Sequence, residues 1–186
     1  MRVITGQAKG RRLKAPKGMN TRPTSDRTKE SLFNIIGDRL LDKAVLDLYA
    51  GTGAIGIEAL SRGADSAVFV EKDPRVVKII RANLDLTGLA DQAEIISQDV
   101  DSTVARLASQ QRTFDIIFLD PPYLRNLLQK SIETLVHYQI IRPGGLVIAE
   151  SSKLDTLSDK YGNLRLIRQE RYGDTIISFY QELSAI

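Results

Sequence analysis

The residues best suited to chemistry are Asp120-Pro121-Pro122-Tyr123, which follow the apolar run Phe114-Asp115-Ile116-Ile117-Phe118-Leu119. The two prolines cannot donate to a sheet ladder, and each locks φ, so the chain must leave a strand there as a rigid turn. Asp120 and the Pro121 carbonyl then stand as paired acceptors, with Tyr123 as a flat apolar wall beside them. Such a group can receive a planar NH2. The plain alternative is a strand-end turn without chemistry.

A second group spans Val45 to Gly56. Gly51, Gly53 and Gly56 fit G-x-G-x-x-G between a strand and a helix, and Glu71 lies 20 positions after Gly51, at the end of the next strand. Backbone without Cβ lets a ligand approach the helix N-terminus, and the acid can bind ribose hydroxyls. NAD and S-adenosylmethionine both suit that pattern. Asp47 bears on the choice: a carboxylate repels a pyrophosphate and attracts the ammonium of a methionyl group. Its bland role is a local turn cap. Asp99 ends a third strand on the same rim, where it can accept from an adenine amino group or cap the following helix.

These groups need a scaffold, and the hydrophobic pattern predicts one. Strands are expected at Ala44–Tyr49, Ala67–Glu71, Ala93–Ser97, Phe114–Leu119 and Leu146–Glu150. Helices are expected at Ala54–Arg62, from Pro74 to an exit at Gly88, from Asp99 or Asp101 toward Ser109, and between about Leu127 and Gln139. The alternation argues for a parallel sheet covered on both faces. Leu164–Arg171 and Thr175–Leu183, around Tyr172-Gly173-Asp174, read as a closing antiparallel hairpin. The start differs in style. Arg2–Thr5 and Arg11–Lys14 read as two short strands, and Thr24 or Ser25 as the cap of a helix carrying Leu32, Phe33, Ile36 and Leu40.

The chain has 186 residues, 42% hydrophobic and 26% charged, enough for one compact domain with a full core. The absence of cysteine excludes disulfides and thiolate metal sites. A single histidine, His137, excludes a histidine metal cluster or a Ser-His-Asp triad. No apolar run approaches the ~20 residues that span a bilayer, and the Arg-containing start lacks a signal peptide's apolar core. A soluble cytoplasmic protein is expected, without membrane or metal. The net charge of +3 hides an asymmetry: residues 1–30 hold nine basic residues against Asp26 and Glu30. A basic arm on a mildly acidic body is the footprint of a nucleic-acid binder, although a charge run is often only a solvated face.

Asp120-Pro121-Pro122-Tyr123 resembles the signature of methyltransferases that alkylate exocyclic or amide nitrogens, and residues 43–182 look like a Rossmann-like S-adenosylmethionine-dependent methyltransferase. The whole chain resembles the RsmD family of bacterial 16S rRNA guanine-N2 methyltransferases, of the guanine(966)-N2 type. The resemblance is carried by Arg2-Val3-Ile4-Thr5-Gly6, Gly10-Arg11-Arg12-Leu13, Pro16, Arg22-Pro23-Thr24-Ser25-Asp26-Arg27 and Glu30-Ser31-Leu32-Phe33-Asn34. Asp47-Leu48-Tyr49-Ala50-Gly51-Thr52-Gly53 and Tyr172-Gly173-Asp174-Thr175 extend it. Thr5 stands where glycine is common and Lys29 where arginine is, and lysine there would weaken a bidentate phosphate contact.

The resemblance implies an α/β fold with a mainly parallel seven-stranded sheet, a C-terminal antiparallel hairpin and a small N-terminal basic extension. It implies an RNA-binding extension over residues 1–40 and a methyltransferase domain over 41–186. S-adenosyl-L-methionine is then held by Asp47, Tyr49, Gly51, Thr52, Gly53, Gly56, Glu71, Lys72, Asp99, Val100 and Asp120. Asp120, Pro121, Pro122 and Tyr123 are the catalytic group, and Lys9, Arg11, Arg12, Lys14, Arg22 and Arg27 the RNA contacts. The partner is 16S ribosomal RNA or the small ribosomal subunit particle, and a monomer is expected. Two rivals stay open: an amino-methyltransferase acting on adenine N6 or on protein glutamine, and a non-catalytic RNA-binding assembly factor.

Overall fold

The structure, a computed structural model, describes residues 1–16, 26–122 and 126–183. It divides into two compact units, Met1–Gln98 and Asp99–Ile186.

In the first unit, β1 (Ala44–Leu48), β2 (Ser66–Val70) and β3 (Ala93–Ile96) run parallel in the order β3-β2-β1. β1 and β2 are apolar at nearly every position because both faces of a parallel sheet are covered. Between them lies α2 (Ala54–Ser61), whose sequence is apolar almost all round, as a fully buried helix requires. α3 (Pro74–Thr87) starts with proline in its first turn and an Asp73 cap, and stops at Gly88 with φ 71°. The N-terminal region supplies α1 (Asp26–Ile36), which buries Leu32, Phe33 and Ile36. The residues expected to cap it, Thr24 and Ser25, lie outside the described residues.

The first 14 residues depart from expectation. The two expected strands shrink to one antiparallel bridge, Arg2 with Arg12, flanked by bonds from the Val3 N–H to the Arg11 carbonyl at 3.0 Å and from the Leu13 N–H to the Met1 carbonyl at 3.2 Å. The reason is where the amides go. The Ile4 and Thr5 N–H groups donate to the Glu58 carboxylate at 2.8 and 3.0 Å, and the Ala8 N–H donates to Ser61 Oγ at 3.0 Å. Gly6 makes the turn at φ 87°, so close to α2 that a Cβ would lie 1.6 Å from the Ser61 carbonyl oxygen. The pairing stops after Val3 because the next amides dock on α2.

In the second unit, α4 (Val100–Ser109) precedes β4 (Phe114–Leu119), and α5 (Leu127–Tyr138) precedes β5 (Ile141–Ser152). β6 (Lys160–Tyr161), β7 (Leu164–Tyr172) and β8 (Thr175–Glu182) follow. The order is β4-β5-β8-β7-β6, with β4 and β5 parallel and the remaining pairs antiparallel. The closing hairpin turns at Gly173, φ 63°. β5 begins five residues before the expected Leu146, running through Pro143-Gly144-Gly145, where the register with β4 shifts. The two-residue β6, too short to show a pattern, adds an eighth strand to the seven expected. Among the described residues, no helix is long and apolar enough to cross a membrane.

Candidate active site

The glycine motif forms the loop between β1 and α2. Gly51 and Gly53 have φ of 54° and 77°, the left-handed region that glycine enters without strain. Tyr49 joins them at φ 64°, a conformation unfavourable for an aromatic residue. The three glycines do different work. Gly51 has room on its Cβ side, where an added carbon would meet nothing nearer than the Tyr49 carbonyl oxygen at 3.9 Å. Gly53 is the N-cap of α2. Gly56 serves packing rather than ligand approach, since a Cβ there would lie 2.3 Å from the Phe69 ring and 3.1 Å from Asp47 Oδ2.

Two carboxylates organise this loop. Asp47 on β1 is 3% exposed, and its Oδ2 accepts the Gly56 N–H at 2.9 Å. Burial pushes its pKa up to about 7; the Gly56 bond pulls it down and the charge of Glu71 adds to the rise. Glu71, just past β2, spans two loops: Oε2 accepts the Gly51 N–H at 3.2 Å, and Oε1 accepts the Asp73 N–H at 2.9 Å. Thr52 is half-buried and Lys72 exposed. The first unit thus brings together Asp47, the glycine loop and Glu71.

In the second unit, Asp99 caps α4 by accepting the Ser102 N–H at 2.9 Å, and that bond holds its pKa below the usual carboxylate value. Of its two expected roles, the helix cap is visible. Val100, the first residue of α4, is buried. Asp120 follows the last residue of β4 and is exposed, Pro121 is buried and Pro122 exposed. Tyr123 lies outside the described residues.

Lys9, Arg11, Arg12, Lys14 and Arg27 are all exposed, and Arg22 lies outside the described residues. Lys29 differs from these. It is 1% exposed, pairs with the buried Glu58 at 3.0 Å and donates to the Arg2 carbonyl at 2.6 Å. A lysine so enclosed is no phosphate contact; it fastens α1 and the arm to α2. Arg62, one turn after Glu58, donates to the same carboxylate at 2.8 Å and lies over the Phe33 ring.

Glu58 and Asn83 were not anticipated. Each had a signal: Glu58 is the only charged residue in the sequence of α2, and Asn83 stands in the apolar stripe of α3 between Ile80 and Leu84. Fully buried polar groups persist only with partners. Asn83 Oδ1 accepts the Lys14 N–H at 2.7 Å, and Nδ2 donates to the carbonyls of Lys14 at 3.1 Å and Thr52 at 2.9 Å.

This is a Rossmann-like α/β protein with a glycine-rich loop after β1, and it is similar in fold to the solved structure of Escherichia coli yhhF. That structure has a TM-score of 0.87 at 34% identity, covering 100% of this chain and 99% of the other. The chain belongs to the RsmD family: the family model described as "Conserved hypothetical protein 95" matches residues 1–181. It is 38% identical over 182 residues to Bacillus subtilis YlbH, covering 98% of this chain and 99% of that protein. It is 34% identical over 181 residues to the Escherichia coli protein named "Ribosomal RNA small subunit methyltransferase D", covering 97% and 89%.

Proposed function

We propose that the chain transfers a methyl group from S-adenosyl-L-methionine to the exocyclic N2 of a guanine in 16S ribosomal RNA, of the guanine(966)-N2 type. The observation that carries the cofactor reading is the pair of carboxylates, Asp47 and Glu71, the first bonded to the Gly56 amide in the first turn of α2 and the second to the Gly51 amide of the glycine loop. Acids at both ends of the loop disfavour a pyrophosphate and suit a ligand with a cationic amino group and a ribose. The open side of Gly51 leaves room for that ligand beside the backbone. The ribosomal RNA reading is supported by the name of the Escherichia coli relative and by the exposed basic arm.

When bound, S-adenosyl-L-methionine supplies an electrophilic methyl group. The protein's task is then to hold and orient. Asp47 attracts the amino group, and Glu71 keeps an acceptor for the ribose hydroxyls while steadying Gly51 and Asp73. Guanine N2 is a weak nucleophile because its lone pair is delocalised into the ring. Hydrogen bonds from that NH2 to Asp120 and the Pro121 carbonyl favour the pyramidal nitrogen of the transition state, and Tyr123 stacks on the extruded base. The two prolines, each with φ locked by its ring, stiffen the chain that carries those acceptors. A proton leaves the nitrogen after attack, and the exposed Asp120 can receive it.

The test is to map modified nucleotides in 16S rRNA from cells with and without the gene. Loss of one N2-methylguanosine on deletion, restored by the wild-type gene and not by Asp120→Ala, supports the proposal. An unchanged map rejects it.

A further inference from the structure

The carboxamide of Asn83 joins two pieces of chain that the reaction uses separately, the basic arm and the glycine loop. It has 0% exposure, and its three hydrogen bonds to Lys14 and Thr52 use its oxygen and both amino hydrogens. They also fix its orientation, because a flipped amide would set NH2 against the Lys14 N–H and oxygen against two carbonyls. A second contact meets at the same residue: the Thr52 hydroxyl donates to Met1 Sδ at 3.7 Å, while the Met1 carbonyl accepts the Leu13 N–H at 3.2 Å. Both ends of the arm's loop therefore converge on Thr52. That residue sits between the two left-handed glycines, Gly51 and Gly53. In a trans peptide the Thr52 carbonyl and the Gly53 N–H point opposite ways, so holding the carbonyl sets the peptide plane that opens α2. The Lys14 side chain stays exposed while its backbone is clamped.

We propose that Asn83 is a positioning residue through which cofactor occupancy of the glycine loop orders the basic arm, presenting its charges to RNA in the cofactor-bound form. This rests on the reading of the glycine loop as the cofactor site. A ligand that stiffens the loop holds the Thr52 carbonyl on Asn83, and the same amide then holds Lys14. By linkage, whatever grips the arm tightens the loop in return.

The experiment is hydrogen–deuterium exchange of the full chain with and without S-adenosyl-L-homocysteine, in wild type and Asn83→Ala. In wild type the ligand slows exchange in the glycine loop and also in residues 1–14, by about fivefold or more, the lower end of usual coupling between sites. In Asn83→Ala the loop is still protected, but the ligand no longer affects the arm. A merely structural asparagine would change arm exchange equally with and without ligand. If Asn83→Ala does not melt cooperatively, Asn83→Asp keeps the acceptor for the Lys14 N–H, gives up both donated bonds and carries the same comparison. Protection of the loop without the arm in wild type overturns this inference alone, as does undiminished transfer in a folded variant. No protection anywhere at saturating ligand removes the cofactor reading and the inference with it.

Discussion

Asp47 and Asp120 are the same residue type at nearly the same place on two strands, one residue before the end of β1 and one residue beyond the end of β4, each strand parallel to its neighbour within its own unit. Their surroundings separate them. Asp47 is buried, bonded to Gly56 and raised to a pKa of about 7, whereas Asp120 is exposed just ahead of two prolines. Glycine lets α2 sit close enough to enclose the first acid; proline carries the second out of the sheet. Under the proposed function, the enclosed acid holds the cofactor and the open one meets the RNA base.

That division has its largest consequence at Asp120. Asp120→Ala is expected to lower turnover by ~10²–10⁴-fold, the usual scale for a positioned group at the reacting atom. Affinity for S-adenosyl-L-homocysteine, measured by calorimetry, stays near wild type. A folded variant that loses ligand binding would erase the contrast.

Glu71→Ala should behave in the opposite sense. Losing a hydrogen bond to a charged acceptor costs about 1.5–3 kcal/mol, or roughly ten- to a hundredfold in affinity. Calorimetry should therefore show weakened cofactor binding, and an unchanged constant would leave Glu71 as only the tie between Gly51 and Asp73.

The basic arm sharpens the comparison, because it too mixes enclosed and open charges of one kind. Replacing Lys9, Arg11, Arg12 and Lys14 by Gln should weaken RNA binding and flatten its salt dependence, by about 0.7–0.9 in log–log slope per lost phosphate contact. The melting temperature should barely move, since these side chains are exposed. Parallel salt curves for variant and wild type would put the RNA elsewhere. Glu58, by contrast, belongs to the docking contact. Its removal strands Lys29 without its ionic partner, a change that commonly costs ~3–5 kcal/mol, and a thermal melt reads it.

The smallest effect expected is a pH dependence at Asp47. Its folded pKa lies above the unfolded value, so between about 4 and 7 the folded chain keeps a proton that the unfolded chain has lost. Asp47's contribution to stability thus declines as pH rises through that window and is level above it. A bound ammonium favours the ionised acid, so cofactor affinity should rise from pH 6 to 8, by at most about tenfold per unit for one proton released. Asp47→Asn should flatten both profiles. An affinity independent of pH in wild type would mean that Asp47 does not face the amino group.

The strands that position these groups were legible because β1, β2 and β4 are apolar at nearly every position, and α3 carries both a proline start and a glycine stop. Asp47, Gly51, Gly53 and Glu71 were legible because a strand–glycine–helix spacing has few uses. What stayed hidden involves long-range partners. Glu58 bonds to residues more than 50 positions away, and Asn83 to Lys14 at a separation of 69. A polar residue in an apolar stripe shows that a partner exists without naming it. The arm's charges posed the same difficulty: nothing local distinguishes Lys29, sealed against Glu58, from Lys14, whose side chain is open to solvent.

The most direct measurement supplies purified protein, S-adenosyl-L-methionine labelled in the methyl group, and small ribosomal subunits from a strain lacking the gene. The modified RNA is digested to nucleosides and the label located by mass spectrometry. Label is expected in N2-methylguanosine of 16S rRNA with wild type, appearing at least about a hundredfold more slowly with Asp120→Ala. Label in N6-methyladenosine or in a protein, or no incorporation into either particles or free 16S rRNA, would contradict the proposed function.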